Sequence, residues 1–280
     1  MKKYAALPVF ALALLFCACV GAPPPIQRPQ FTQRHYVFSV LLDPAKPDSS
    51  PALDLALTLL RMEFPDEQAG FLNNTLYSGA AFDEYKDKIV SDHRDRYRRE
   101  APADKDYNWR YSETASVKRY QPQGMVIRPP QPAEIVKHQN PGLVIERSID
   151  SFSGGEHSTK ITRFLNIDME DLYILRIGDL FANFQEERRL RDIAYEELRI
   201  FGGLGRGVPL SQGIFFSNEP ELTFNFFIAD NGLGLHWDPG QIAPYSSGDI
   251  QVVLPWQIIR PMMLFPGIEL LTKFNIHLFM

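Results

Sequence analysis

Residues 233–255, LGLHWDPGQIAPYSSGDIQVVLP, constrain the fold more than any other part of the chain. Asp230-Asn231-Gly232 just before them is a turn signal of the kind that joins antiparallel strands, so residues 233–237 read as the return strand of a hairpin. The middle collects Pro239, Gly240, Pro244, Ser246, Ser247 and Gly248, too many backbone breakers for a helix, and reads as a shaped loop. Residues 250–254 alternate as a third strand and stop at Pro255, which has no N–H to give to a ladder.

The beginning of the chain bears on its address. Met1-Lys2-Lys3, an apolar run over residues 5–16 and the small residues after it have the form of a secretory signal; the run is shorter than the roughly 20 residues that span a bilayer. Phe16-Cys17-Ala18-Cys19 resembles a bacterial lipobox. Cys19, preceded by the small Ala18, is the expected site of lipidation (palmitate), which predicts a membrane-anchored lipoprotein of the bacterial cell envelope or periplasm. Cleavage there removes Cys17 and occupies Cys19, the only two cysteines, so the mature chain must fold without disulfides. A 280-residue chain with 45% hydrophobic residues has enough apolar side chains to do so. Losing Lys2 and Lys3 takes the basic residues from 29 to 27 against 34 acidic, moving the formal charge from −5 to −7 and arguing against a nucleic-acid partner.

The rest divides into recognisable pieces. Residues 19–30 are a proline-rich tether. Residues 33–42 read as a strand, and residues 53–62, rich in leucine and alanine, as a short helix halted near Pro65. Phe82, Tyr85, Ile89, His93 and Tyr97 recur at steps of three or four and mark the buried face of a second helix. His93 on that stripe reads as a core-edge side chain, and Arg94, Arg96, Arg98 and Arg99, interleaved with acids, as a solvated face. An aromatic segment over 109–120 and a proline-rich turn region over 122–132 lead into the strand GLVIERSIDSF at 142–152. Ser153-Gly154-Gly155-Glu156-His157 is a tight turn to a strand over 159–167, in which Ile161, Arg163 and Leu165 alternate. Residues 186–198 form an amphipathic helix with Leu190, Ile193, Ala194 and Leu198 inward. GGLGRG at 202–207 lacks the lysine and the strand-to-helix setting of a phosphate loop and reads as a connection. Residues 221–229 alternate into the first strand of the hairpin, and the apolar tail, 266–280, either adds a last strand or packs loosely.

Several of these stretches together resemble the DUF3298 domain family: Ser153-Gly154-Gly155-Glu156-His157, the strand through Phe164-Leu165-Asn166-Ile167-Asp168, Ile177-Gly178-Asp179-Leu180-Phe181, and above all Ile242-Ala243-Pro244-Tyr245-Ser246-Ser247-Gly248. Glu156, Ser158, Gly240 and Gln241 depart from the family pattern. The resemblance is specific over residues 142–256. Residues 31–141 are similar to the DUF4163 region that often precedes such domains. The implied organisation is a signal peptide at 1–18, the tether at 19–30, a DUF4163-like region at 31–141, a DUF3298-like domain at 142–265 and the tail at 266–280. The implied fold is α+β, antiparallel sheets packed with two or three helices. Family relatives include the extracellular part of an anti-sigma factor that binds lysozyme and the non-catalytic portion of a peptidoglycan deacetylase. By that analogy the expected function is a non-catalytic cell-envelope binding protein, with a cell-wall glycan or a lysozyme-like protein as partner and no cofactor.

The residues on which a ligand would be sought are Gly154, Gly155, Glu156, His157, His236, Trp237, Asp238 and Tyr245. Two other functions fit the same sequence. If the two loops meet, Glu156, His157, His236 and Asp238 could ligate a hydrolytic metal, although no established hydrolase signature accompanies them. A structural lipoprotein could instead dock through the aromatic segment at Trp109 or the apolar tail.

Overall fold

A computed structural model describes residues 30–64, 66–100, 108–118, 141–154, 156–185 and 187–278. The signal peptide, Cys19, nearly all of the tether, the turn region at 122–132 and Gly155 lie outside the described residues.

The N-terminal half is built on a six-stranded sheet in chain order, β1 (Gln30–Leu41), β2 (Ala52–Phe64), β3 (Trp109–Lys118), β4 (Gly142–Phe152), β5 (Thr159–Asp168) and β6 (Tyr173–Ile174). Its pairs are antiparallel except β2 with β3, which are parallel and connected through two helices, α1 (Asp66–Tyr77) and α2 (Tyr85–Glu100). These helices cover one face of the sheet. Leu72, Leu76, Tyr77, Tyr85 and Ile89 share a core with Leu53, Leu55, Leu57, Trp109, Ala115 and Ile145.

Residues 53–62 are therefore strand, not the helix expected from their composition. Leu53, Leu55, Leu57 and Leu59 are buried while Asp54 and Ala56 between them are exposed, a period of two that outweighs the helix preference of leucine and alanine once β1 and β3 hydrogen-bond on either side. The helix of this region instead begins after Pro65, at Asp66. Trp109 is also reassigned. At 2% exposure it lies in β3 beneath α2, close to the rings of His93 and Tyr97, and offers no docking surface.

The expected α2 stripe is present. Phe82, Tyr85 and Ile89 are buried, and His93 sits half-buried at the core edge, donating from Nδ1 to the Ile89 carbonyl at 2.8 Å. Burial lowers its pKa. On the solvent side Arg96 pairs with Glu100 and Arg98 with Asp95.

The C-terminal half holds a second sheet, β7 (Phe226–Ala229), β8 (Gly232–Trp237) and β9 (Ile250–Pro255), all antiparallel. The hairpin turns at Asp230-Asn231 as expected, but strand pairing starts at Phe226 rather than at 221. Every residue of β7 and β8 is buried. Short helix α3 (Ile177–Leu180) leads to α4 (Arg188–Phe201), whose Leu190, Ala194 and Leu198 enter a core with Leu235, Val252 and Leu254. The tail is neither a strand nor loosely packed. After α5 (Trp256–Ile259) it forms α6 (Phe265–Thr272), with Leu271 fully buried and Ile276 nearly so.

Candidate functional site

The turn after β4 and the loop after β8 meet. Gly154, at φ +95°, takes the left-handed conformation expected of the β4–β5 turn, and β5 runs out from that turn with Lys160, Thr162, Phe164 and Asn166 on one face. The β8–β9 loop is held by a 3-10 turn, Tyr245–Ser247, and ends on Gly248 at φ +69°, ψ −158°, a conformation essentially confined to glycine. This returns the chain into β9 so that Asp249 and Gln251 lie on the same side as His236 and Asp238.

Asp238 is the hub. Its Oδ1 accepts from the Thr162 backbone N–H at 2.7 Å and faces His236 Nε2 at 3.1 Å, while Oδ2 accepts from Arg163 Nη1 at 2.7 Å. The carboxylate is 7% exposed, and burial works to raise its pKa. The hydrogen bonds from His236, Thr162 and Arg163 outweigh that and hold it below the ordinary carboxylate value. His236 is fully enclosed. Gln251 Nε2 lies 3.0 Å from its Nδ1, so with the amide in this orientation Nδ1 accepts and Nε2 carries the proton given to Asp238. Beside them Lys160 pairs with Asp249.

Asn225, just before β7, completes the junction. Its Oδ1 accepts from the Phe164 N–H at 3.0 Å and its Nδ2 donates to the Thr162 carbonyl at 2.6 Å. One side-chain amide thus takes the place of a strand residue along the free edge of β5. Asn166 does the same for β7, donating to the Phe226 carbonyl at 2.8 Å and accepting from the Ile228 N–H at 2.9 Å.

At the outer rim the rings of His157 and Tyr245 stack, 5.1 Å between centroids and 7° from parallel, and Ser158 Oγ lies 3.3 Å from the Tyr245 hydroxyl. Glu156, His157 and Tyr245 are exposed. Trp237 is not: it is 2% exposed, donates from Nε1 to the Glu221 carbonyl, and serves the core.

The two loops therefore share one junction, but the four residues considered as metal ligands do not form one group. Among the described residues the grouping with ligand spacing is His236, Asp238 and Asp249, whose atoms lie within 4.8 Å of one another, without Glu156 or His157. Its donor atoms are mostly engaged. Both ring nitrogens of His236 and both oxygens of Asp238 have protein partners, Lys160 neutralises Asp249, and only Asp249 Oδ1 has none. A dication would have to displace the Arg163 and Lys160 charges that already balance the two carboxylates. The donor chemistry does not fit a resident metal.

Residues 179–257 match a protein-family model. The matching family is DUF3298, described as a protein of unknown function. The fold is shared with a DUF3298 family member from Bacteroides fragilis, at 18% identity and a TM-score of 0.63, over 86% of this chain and 95% of that one. A DUF3298 family protein from Pseudomonas aeruginosa gives 15% identity and a TM-score of 0.54, over 85% and 96%. No curated protein matches the sequence significantly. The DUF3298 match contains the hairpin, the shaped loop and α4. The β4–β5 turn that meets the loop lies outside it.

Lys160, Thr162, Arg163, Asn225, Asp249 and Gln251 were not anticipated as parts of this junction. A signal for some of them existed. Alternation along β5 puts Lys160, Thr162, Phe164 and Asn166 on one face, whereas the apolar signal of Ile161 and Leu165 lies on the other.

Proposed function

We infer that this chain is a non-catalytic binding module of the bacterial cell envelope, anchored by lipid at Cys19, with a DUF4163-like region ahead of its DUF3298-like part. Its ligand is a cell-wall glycan or a lysozyme-like protein, met at the rim where His157 and Tyr245 stack.

The observation that carries this reading is the division of labour at the junction. Both ring nitrogens of His236 and both oxygens of Asp238 are engaged by protein partners, which suits a fixed platform, and Asp249, whose Oδ1 has no partner, is neutralised by Lys160. The outer aromatic pair is exposed and held flat by stacking, the form of surface that packs against a sugar face or an aliphatic side chain. The acidic balance of the chain favours encounter with a cationic protein.

The test is retention of the purified protein on insoluble peptidoglycan and on immobilised lysozyme at low salt. One of the two should retain the wild type, and His157→Ala with Tyr245→Ala should abolish that retention while leaving the thermal midpoint unchanged. No retention on either matrix refutes the reading. Palmitate labelling checks the anchor: it should be lost in Cys19→Ser.

A further inference from the structure

The β4–β5 turn and the β8–β9 loop form one end of the molecule. At the opposite end β1 begins at Gln30, β4 begins at Gly142 and β9 stops at Pro255. There residues 256–268, WQIIRPMMLFPGI, run without an acidic side chain. Ile258, Leu264 and Phe265 are 46%, 37% and 56% exposed, Pro261 and Pro266 are exposed with them, and Met262 and Met263 between are half-buried. The 3-10 turn Arg260–Met262 joins α5 to α6, and the Leu264 N–H donates to the Leu180 carbonyl at 2.9 Å, which pins this apolar segment to α3.

We propose, on the reading that Cys19 carries lipid, that this end lies on the membrane, with Ile258, Leu264 and Phe265 set into the interface and the His157–Tyr245 rim turned away from it. The path of the chain favours a bilayer as the occupant. Residues 19–29 join Cys19 to Gln30 and can span at most about 40 Å. β1 is three strands, ~14 Å, from β4, whose Gly142 N–H donates to the Lys273 carbonyl just past α6, so the apolar segment is well within that reach. The rim lies beyond the far end of β4, about 33 Å further at ~3.3 Å per residue, near its limit. The side chains suit the same occupant: large apolar groups and prolines at the tip of a turn enter the boundary between headgroups and acyl chains by burying apolar area. Glu170, Asp171 and Glu269 are exposed at this end, so the contact is apolar and does not call for anionic lipid. Phe216, also exposed, belongs to the other end, since its N–H donates to the Ile242 carbonyl in the β8–β9 loop.

The experiment places a tryptophan reporter at each end, Phe265→Trp and Phe216→Trp, in the full chain mixed with phosphatidylcholine vesicles whose acyl chains carry bromine, a short-range quencher. The wild type supplies the background of the three native tryptophans. The reporter at position 265 should lose about half or more of its emission, and the one at 216 should be unchanged. The same reporters in Cys19→Ser, followed to saturating lipid, read the face without the acyl chain. Quenching at 265 should persist there at higher lipid concentration, and adding Ile258→Ser and Leu264→Ser should raise that concentration about tenfold or more. Absence of quenching at 265 in both chains overturns the proposal. So does equal quenching at 216, unchanged lipid affinity in the serine variant, or a requirement for anionic lipid. A reporter at 265 that is shielded without lipid, in a chain that sediments as a dimer, overturns it in favour of a second copy. Palmitate labelling scores Cys19 separately: a labelled chain unquenched at 265 refutes the docking face alone, and quenching at 265 in an unlabelled chain refutes the anchor alone.

Discussion

Two buried carboxylates illustrate how single residues are held here. Glu113 has no exposed side-chain surface, yet it accepts from Arg147 Nε at 2.7 Å and from the hydroxyls of Tyr111 and Tyr85 at 2.7 and 3.0 Å. Burial, then the Glu113 charge, raises the pKa of both tyrosines, keeping them neutral donors. Glu113→Ala leaves a guanidinium and two hydroxyls without their acceptor beneath α2, and should cost about 3–5 kcal/mol in urea unfolding at pH 7. Asp238 makes a prediction about pH. Its folded pKa is depressed, so its contribution is complete above the unfolded value, about 3.9, and is lost as pH falls through the lower folded value. The stability gap between wild type and Asp238→Asn should be constant from neutral pH to about 5 and should narrow below about pH 4. A gap that instead widens in acid would contradict the assignment of Asp238 as an ionised hub.

Among the elements, β5 is the one whose environment most needs explaining. It pairs with β4 along its length but with β6 only at Ile167 and Asp168, leaving most of one edge unpaired by backbone. Bare edges invite pairing with other chains, and side chains close this one: Asn225 at Phe164 and Thr162, and Asp238 at Thr162. Asn225→Ala strips two partners from β5 and should cost about 1–3 kcal/mol, measured as a shift of the urea midpoint. Asn225→Asp should recover only part of that, because a carboxylate cannot donate to the Thr162 carbonyl. β2 is instructive in another way. Its alternation of Leu53, Leu55, Leu57 and Leu59 was visible in the sequence, but period two and helix propensity point to different structures over so short a run, and the neighbouring strands decide between them.

Over the whole molecule, the tail ties the two halves together. The Gly142 N–H, at the start of β4, donates to the Lys273 carbonyl at 2.8 Å, and Lys273 Nζ reaches Asp168 at the end of β5, at 2.5 Å. Hydrogen bonds to Asp168 and Asp171 raise the Lys273 pKa, so this tie stays charged at neutral pH. Truncation after Leu264 removes it together with Leu271 and Ile276, buried side chains worth about 1.5–3 kcal/mol each. The truncated protein should unfold several degrees lower by circular dichroism, and an unchanged midpoint would show the tail to be dispensable. The boundary expected at residue 142 falls within the six-stranded sheet, since β3 and β4 are adjacent strands.

The sequence alone determined the local grammar of this protein: the strands at 142–152, 159–167, 233–237 and 250–254, the stripes of α2 and α4, and the turn residues that shape the β8–β9 loop. These follow from period, breaker residues and backbone freedom, which act over a few neighbours. Tertiary structure decided what those rules cannot reach. It turned the leucine run at 53–62 into a strand, folded the tail as a helix, and set Asp238 and Asn225 against β5 from more than sixty residues away. The pairing of His157 with Tyr245 and the separation of Glu156 from His236 are likewise outcomes of how the two sheets meet. Polar side chains carry no periodicity that names their partners, so such contacts become definite only once the chain is packed.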